Sequence, residues 1–250
     1  MNDLALTLRR TSPPEYIRWH EKRIISCVDF LRRQVALSGK RVLDIGHDVH
    51  IGALLHAEGA ELVGNIAPND MSGAHEEATA ASWQLDAFNF EERFPYQDGS
   101  FDVVTAMEVF EHVGTSPRAF LAEVNRVLKP GGHVFIGTPN AGAWVKILKM
   151  LAHETPMDTR PFSQNWGPRH AMCHVYEFTP WEVRFLLDKE GFEVERLSTW
   201  DVYDLDPRGP RKALARALIA SSLLITGHFR QAALMYRNRG HQMAVVARKR

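Results

Sequence analysis

The stretch KRVLDIGHDVHIG, from Lys40 to Gly52, constrains the fold more than any other part of the sequence. An apolar run is interrupted by one acid, Asp44, and then reaches Gly46. After a turn, apolar residues at helical spacing begin at Ile51. This order predicts a buried strand, a glycine turn and a helix, the first unit of an open α/β sheet. Ligands of such sheets bind beyond the carboxyl ends of the strands, where the Asp44 carboxylate needs a partner.

The rest of the chain alternates between strand-like and helical segments. Further strands are predicted at 60–66, 83–87, 101–107, 133–137, 192–197 and 242–247, and helices at 16–37, 118–127, 141–152 and 180–189. Thr179 and Glu182 have the residue types and spacing of a capping box at the start of the last helix. Because strands alternate with helices, we predict an α/β protein with a mostly parallel sheet.

Composition excludes several classes of protein. The 250 residues have a formal net charge of zero and 24% charged residues, which argues against a dedicated nucleic-acid binder. No run reaches the roughly 18 apolar residues that a membrane span needs, and the first residues do not resemble a signal peptide. The two cysteines, Cys27 and Cys173, are far apart and indicate reduced thiols in a cytoplasmic protein. Monomer and homodimer both stay open.

Four segments, in this order, resemble the class I S-adenosylmethionine-dependent methyltransferases. They are VLDIG at 42–46, LDAFNFEERFPYQDGSFDVV at 85–104, EVFEHV at 108–113 and RVLKPGGHVFIGTPN at 126–140. The resemblance implies a Rossmann-like sheet of seven strands, mostly parallel with an antiparallel last strand, and helices on both faces. It divides the chain into an N-terminal cap helix region (1–37), a methyltransferase core (38–200), a helical insert (201–239) and the last strand of the core (240–250).

The resemblance also implies a site for S-adenosylmethionine at the strand ends. Carried over by position, Asp44 and Gly46 lie beside the methionine part of the cofactor, and Asp86 and Ala87 lie beside its adenine. Met107 and Glu108 close the pocket. The cofactor carries a cationic sulfonium and a cationic ammonium group, and carboxylates at strand ends suit both.

Two features, the first loop and the ribose-binding position, depart from the family pattern. Asp48 and His50 stand where the family's first loop has further glycines, and Asn65 is the nearest polar residue where the family has an acid that binds the ribose hydroxyls. Asp70 is a more distant substitute for that acid. An amide can bind a hydroxyl but lacks charge assistance. An active enzyme and a methyltransferase-like binding module with weak or no catalysis therefore both stay open.

Glu108, Glu111 and His112 are spaced at i, i+3 and i+4, so a helical segment would place them on one face. Two carboxylates and an imidazole can bind a divalent metal. With the later segment HVYEFTP, this pattern resembles two metal-using branches of the family, which form ubiquinone-type catechol ethers and methylate the 3′-terminal ribose of RNA. The resemblance implies His174 as the fourth ligand, with His170 as a nearby alternative. The ion would be Mg²⁺ or, since histidines are present, manganese, iron or zinc.

A metal-free alternative gives the same residues other roles. Glu108 then contacts the cofactor, and His112 acts as a general base on the acceptor. With or without metal, His112 and His174 are the candidate catalytic residues. Their mutation should abolish turnover and spare cofactor affinity.

The segment 201–239 has an apolar centre at 213–225 with arginines on both sides. It is too short to span a bilayer. It either packs on the sheet, forms a dimer contact, or binds a membrane surface or a lipid-linked acceptor. The sequence as a whole predicts O-methylation of a hydroxyl on a small molecule or a saccharide. The binding module and an RNA ribose methyltransferase are the alternatives, and the zero net charge disfavours RNA.

Overall fold

Seven strands form one sheet in the computed structural model of the protein, which describes residues 2–12, 14–68, 83–151, 153–156, 174–201, 217, 221 and 240–250. The strands are β1 (Arg41–Ile45), β2 (Glu61–Ile66), β3 (Gln84–Ala87), β4 (Phe101–Met107), β5 (Leu128–Pro139), β6 (Phe192–Trp200) and β7 (Gln242–Lys249). Their order across the sheet is β3-β2-β1-β4-β5-β7-β6. β7 runs antiparallel to both of its neighbours, and the other pairs are parallel. The predicted fold class is confirmed.

Helices cover both faces of the sheet. They are α1 (Asn2–Thr11), α2 (Pro14–Gln34), α3 (Val49–Ala57), α4 (Pro117–Val127), α5 (Trp144–Leu151) and α6 (Pro180–Lys189), with a 3-10 turn at Phe110–His112. The first helix, α1, was not predicted. Within the described part of the chain, no helix has the length and apolar character needed to cross a bilayer. Most of the predicted insert at 201–239 lies outside the described residues, as do Asp70, His170 and Cys173.

Neighbouring residues on the central strands enter two separate cores. Val103 of β4 packs with α1, α2 and α3, whereas Val104 packs with α4 and α6 on the other face. Successive side chains of a strand point to opposite faces, and a sheet covered on both faces needs apolar residues at both. This explains why the central strands are near-continuous apolar runs.

The ends of α3 and α6 are fixed by side-chain caps. Asp48 is the N-cap of α3, and its carboxylate accepts a hydrogen bond from the backbone N–H of His50 at 2.8 Å. Thr179 and Glu182 form the predicted capping box at the start of α6, which is confirmed. The aspartate that replaces a family glycine therefore has a structural role, since it satisfies a backbone donor that a helix start leaves unpaired.

The parallel register brings the predicted cofactor residues to one edge of the sheet. Asp44 on β1 pairs with Thr105 on β4 and with Gly64 on β2, and Asn65 pairs with Asp86 on β3. Because these strands run in one direction, their carboxyl ends and the turns that follow them meet there. The candidate site lies at this edge.

The residue before β7, His241, should make stability depend on pH. Burial, helped by the positive charges of Lys146, Lys149 and Arg23, lowers the pKa of His241 from 6.5 to about 4. Between these values the unfolded chain binds a proton that the folded chain does not, so the free energy of unfolding falls as the pH is lowered. We expect His241→Gln to reduce this fall by on the order of 2 kcal/mol.

Urea titrations at about pH 7 and about pH 4.5 measure the effect. The exposed residue His56 gives the matched control, His56→Gln, which should keep the wild-type pH dependence. An unchanged pH dependence in His241→Gln would contradict the assignment.

Candidate active site

Glu111 is a fully buried carboxylate in the 3-10 turn after β4. Its Oε2 accepts a hydrogen bond from the Thr138 hydroxyl at 2.8 Å, whereas its Oε1 receives none from the described residues. Burial, reinforced by the Glu108 carboxylate, raises the pKa of Glu111 well above its usual value. A buried carboxylate oxygen without a donor is costly. The position therefore suits a bound cation or proton.

Two histidines lie beside Glu111. His174 Nε2 is 3.9 Å from Glu111 Oε1, and the rings of His112 and His174 have centroids 5.1 Å apart in an edge-to-face arrangement. One ligand atom from each of the three residues lies within 4.8 Å of the others. The structure thus brings together three of the four residues predicted to bind a metal, and both of the predicted catalytic histidines.

His174 is held from behind by a buried ion pair. Its Nδ1 is 2.9 Å from Glu177 Oε1, and Glu177 Oε2 pairs with the ammonium group of Lys146 on α5. Glu177 and Lys146 are both buried, and burial lowers the pKa of Lys146 to about 8. Sequence reasoning missed both residues, and it also missed Thr138. Glu177 stands three residues after His174 in HVYEFTP, which was the available signal; Lys146 has no such signal.

Glu108 lies outside this group of three. The segment from 108 to 112 is not one helix as expected, because Glu108 has a φ of 57° and only Phe110–His112 form a turn. The Glu108 carboxylate accepts hydrogen bonds from Arg23 at 2.9 Å and from Gln242 at 2.7 Å. It therefore joins α2 and β7 to the end of β4. Its roles as a metal ligand and a cofactor contact stay predictions.

Asp44 has partners for both of its carboxylate oxygens. Thr105 donates its hydroxyl to Oδ1 at 2.5 Å, and His47 Nδ1 lies 2.8 Å from Oδ2. The indole N–H of Trp83 donates to His47 Nε2 at 3.1 Å. An indole nitrogen can only donate, so His47 carries its proton on Nδ1 and gives it to Asp44. Asp44 is 2% exposed, and this hydrogen-bond network offsets the free-energy cost of burying its carboxylate.

His47 is accommodated by two glycines. A Cβ placed on Gly64 would lie 2.6 Å from the ring of His47, and one placed on Gly52 would overlap it as well. At Gly46, φ is +64° and a Cβ would overlap Val109. This turn therefore requires glycine where the predicted cofactor loop begins. Sequence reasoning did not single out His47, which lies within that loop.

Asn65 joins the ends of three strands. Its Oδ1 accepts from the backbone N–H of Gly46 at 3.3 Å, and its Nδ2 donates to the carbonyls of Phe88 at 2.9 Å and Ile66 at 3.2 Å. Its side chain is buried, with 1% of the residue exposed. These bonds explain an amide at this position, since it both donates and accepts, whereas a carboxylate only accepts. Its contact with a ribose stays a prediction.

The remaining predicted cofactor residues lie along the same edge. Asp86 is half-buried at the end of β3 and accepts hydrogen bonds from the Tyr96 hydroxyl at 2.7 Å and from Gln84 at 2.8 Å. Ala87 is exposed beside it, and Met107 is buried at the end of β4. Burial and the Asp86 carboxylate raise the pKa of Tyr96, so Tyr96 stays a donor. The hydrogen bonds from Tyr96 and Gln84 therefore hold the Asp86 carboxylate, a hydrogen-bond acceptor, in one orientation at the end of β3.

Comparisons with known proteins show the family to which the chain belongs. The family model described as a methyltransferase domain matches residues 16–197. The ubiquinone biosynthesis O-methyltransferase of Marinobacter nauticus is 29% identical over 174 residues, which cover 61% of this chain and 71% of that protein. The protein of the same name from Nitrosococcus oceani is 33% identical over 178 residues, which cover 68% of this chain and 71% of that protein.

Solved structures share the fold at low sequence identity. A SAM-dependent methyltransferase from Thermotoga maritima superposes with a TM-score of 0.60 at 16% identity, covering 94% of each chain. One from Archaeoglobus fulgidus gives 0.58 at 17% identity, covering 95% of this chain and all of that chain.

The pairing of His47 with Asp44 predicts a measurable loss of stability. His47→Ala leaves a cavity and removes the donor to Asp44 Oδ2, so we expect the free energy of unfolding to fall by about 2–4 kcal/mol. His56→Ala removes an exposed ring that packs on the same indole, that of Trp83, and should cost less than about 1 kcal/mol. Urea denaturation measures both variants. Equal losses would show that the buried network does not hold Asp44.

Proposed function

Because the chain belongs to the class I S-adenosylmethionine-dependent methyltransferases, we propose that it methylates a hydroxyl oxygen of a small molecule or saccharide with hydroxyls on adjacent carbons. The observation that carries this proposal is the meeting of Glu111, His112 and His174 at the carboxyl edge of the sheet. Among such acceptors a catechol is favoured, since the relatives at about 30% identity are named ubiquinone biosynthesis O-methyltransferases.

The group of three also fits a divalent metal. Glu111 offers a buried oxygen that receives no hydrogen bond from the described residues, and the two imidazoles add nitrogen ligands of the kind that manganese, iron and zinc accept. Thr138 would orient the Glu111 carboxylate through its hydroxyl. A metal bound here supplies a Lewis acid that lowers the pKa of an acceptor hydroxyl.

The chain's own residues supply positioning and a proton acceptor. The turn at Gly46 and the strand end at Asp86 hold the cofactor, and the acidic strand ends favour its cationic groups. The acceptor oxygen must lie in line with the sulfonium methyl group. A preformed site holds the two groups in this alignment and so lowers the entropic part of the activation barrier. Without a metal, an imidazole of His112 or His174 would accept the proton of the hydroxyl as the carbon–oxygen bond forms and the sulfur–methyl bond of the cofactor breaks, which leaves a neutral thioether.

A binding module without turnover is the second candidate. Asp44 and Asn65 are buried with their polar atoms used inside the protein, and His47 occupies the loop that follows β1. A cofactor would then have to be held mainly by backbone groups and by Asp86. Cofactor affinity separates the two candidates.

Calorimetric titration with S-adenosylmethionine should show micromolar binding, with or without a divalent metal. Asp86→Asn removes the charge of one hydrogen bond to the adenine amine, so we expect roughly tenfold weaker binding. Asp98→Asn, at an exposed ion pair with Arg126, is the matched control and should bind as the wild type does. Undetectable binding by the wild type under either condition would favour the binding module.

The two histidines should matter for turnover and not for cofactor affinity. We expect His112→Ala and His174→Ala to lower kcat by about a hundredfold or more, since both remove groups that handle the acceptor. Methyl transfer from labelled cofactor to a panel of catechols and vicinal diols measures kcat, and calorimetry measures affinity. The exposed residue His56 provides the control His56→Ala. Loss of cofactor binding in either variant would contradict the assignment.

A further inference from the structure

The ion pair behind His174 has no part in the reaction described above. Lys146 lies on α5, and Glu177 lies in the segment before α6. Both side chains are about 5% exposed, and their charged groups are in direct contact. A buried ion pair is seldom explained by stability alone, because apolar residues of similar size can serve as well. Glu177 of this pair contacts Nδ1 of His174, which points to a role in orienting that ring.

The two nitrogens of His174 face different partners. Nδ1 lies 2.9 Å from Glu177 Oε1, and Nε2 faces Glu111 Oε1 at 3.9 Å. An ionised carboxylate only accepts hydrogen bonds, so it favours a proton on Nδ1. A neutral ring protonated there has its lone pair on Nε2. Nε2 lies 3.9 Å from the buried Oε1 of Glu111.

We propose that Glu177, held by Lys146, is a positioning residue that keeps the proton of His174 on Nδ1 and its Nε2 lone pair directed toward Glu111. The inference rests on the proposed function for its purpose, since Nε2 is then the atom that ligates a metal or receives a proton. Carboxylates behind metal-binding histidines fix the tautomer and the ring orientation in this way.

Lys146 has a specific task in this arrangement. An ammonium group only donates, so it keeps an acceptor oxygen of Glu177 facing α5. Its positive charge also balances the Glu177 carboxylate. The nearby carboxylates of Glu108 and Glu111 raise the pKa of Lys146, which opposes the effect of burial. Lys146 therefore prevents the Glu177 carboxylate from turning over and leaves its other oxygen, Oε1, facing His174 Nδ1.

Because of this geometry, replacing Glu177 with the isosteric glutamine should move the proton of His174 from Nδ1 to Nε2. In Glu177→Gln, Lys146 still requires an acceptor, so the amide oxygen faces Lys146 and the amide NH₂ faces His174 Nδ1. Nδ1 must then accept, and the proton moves to Nε2, where it points at the Glu111 oxygen. In the double variant Lys146→Met, Glu177→Gln the amide is free to turn, and its oxygen can again accept from Nδ1.

Nitrogen-15 NMR of the two ring nitrogens of His174 reads the tautomer directly, without cofactor, acceptor or metal. We expect the Nδ1–H form in the wild type, the Nε2–H form in Glu177→Gln, and at least partial return to Nδ1–H in the double variant. Glu193→Gln is the matched control, because Glu193 is exposed and pairs with Arg248 at 3.1 Å. An Nε2–H form in the wild type would overturn the proposal, and so would an unchanged tautomer in Glu177→Gln.

Titration with Mn²⁺ alone gives the second readout. We expect Glu177→Gln to bind Mn²⁺ about 10–100-fold more weakly than the wild type, with part of the loss recovered in the double variant. Wild-type affinity in Glu177→Gln would overturn the proposal. If the wild type binds no Mn²⁺, the metal in the proposed function fails, and the tautomers alone decide this inference. If Glu177→Gln does not fold, the wild-type tautomer decides it.

Discussion

The buried carboxylate of Asp44 is the constraint on which the candidate site depends. A charged group inside an apolar strand must be hydrogen-bonded at each oxygen, and the chain meets this need from two directions. Thr105 supplies one donor from β4 and so fixes the central strand pair. His47 supplies the other from the turn, and Trp83 in turn fixes the imidazole. Two glycines make room for that ring. One charge thus determines residues on β1, β4, the first loop and the start of β3.

Much of the fold follows from local patterns in the sequence. The apolar runs gave all seven strands, since a sheet covered on both faces needs such runs, and the capping box at Thr179 gave the start of α6. The differences at α1 and β5 have physical reasons. α1 has neither a capping signal nor a long apolar stripe, and it gains stability by packing Leu4 and Leu8 against α2 and α3. β5 was predicted from His133, but it begins at Leu128, because Pro130 can lie at an irregular end of a strand.

The candidate site was predictable where its residues follow strand ends and was not where it depends on distant contacts. Spacing selected Glu111 and His112 as members of one candidate site, but it treated residues 108–112 as a helix. The backbone of Glu108 has a positive φ instead, and its carboxylate is held by Arg23, which lies 85 residues earlier in the chain. Such a contact leaves no periodic pattern. The ion pair behind His174 is invisible for the same reason, since its two members lie 31 residues apart on separate elements.

The hydrogen bond between Gln242 and Glu108 has a consequence for how the protein matures. Gln242 is the first residue of β7, which follows the other six strands of the sheet in sequence and lies between β5 and β6. Until it has been synthesised, β5 and β6 are unpaired on facing sides, and the strained backbone at Glu108 lacks one of the contacts that hold it. Pairing across so many residues is slow, because the long loop must close first. β7 therefore completes both cores and the candidate site only after the strands on either side of it have been synthesised.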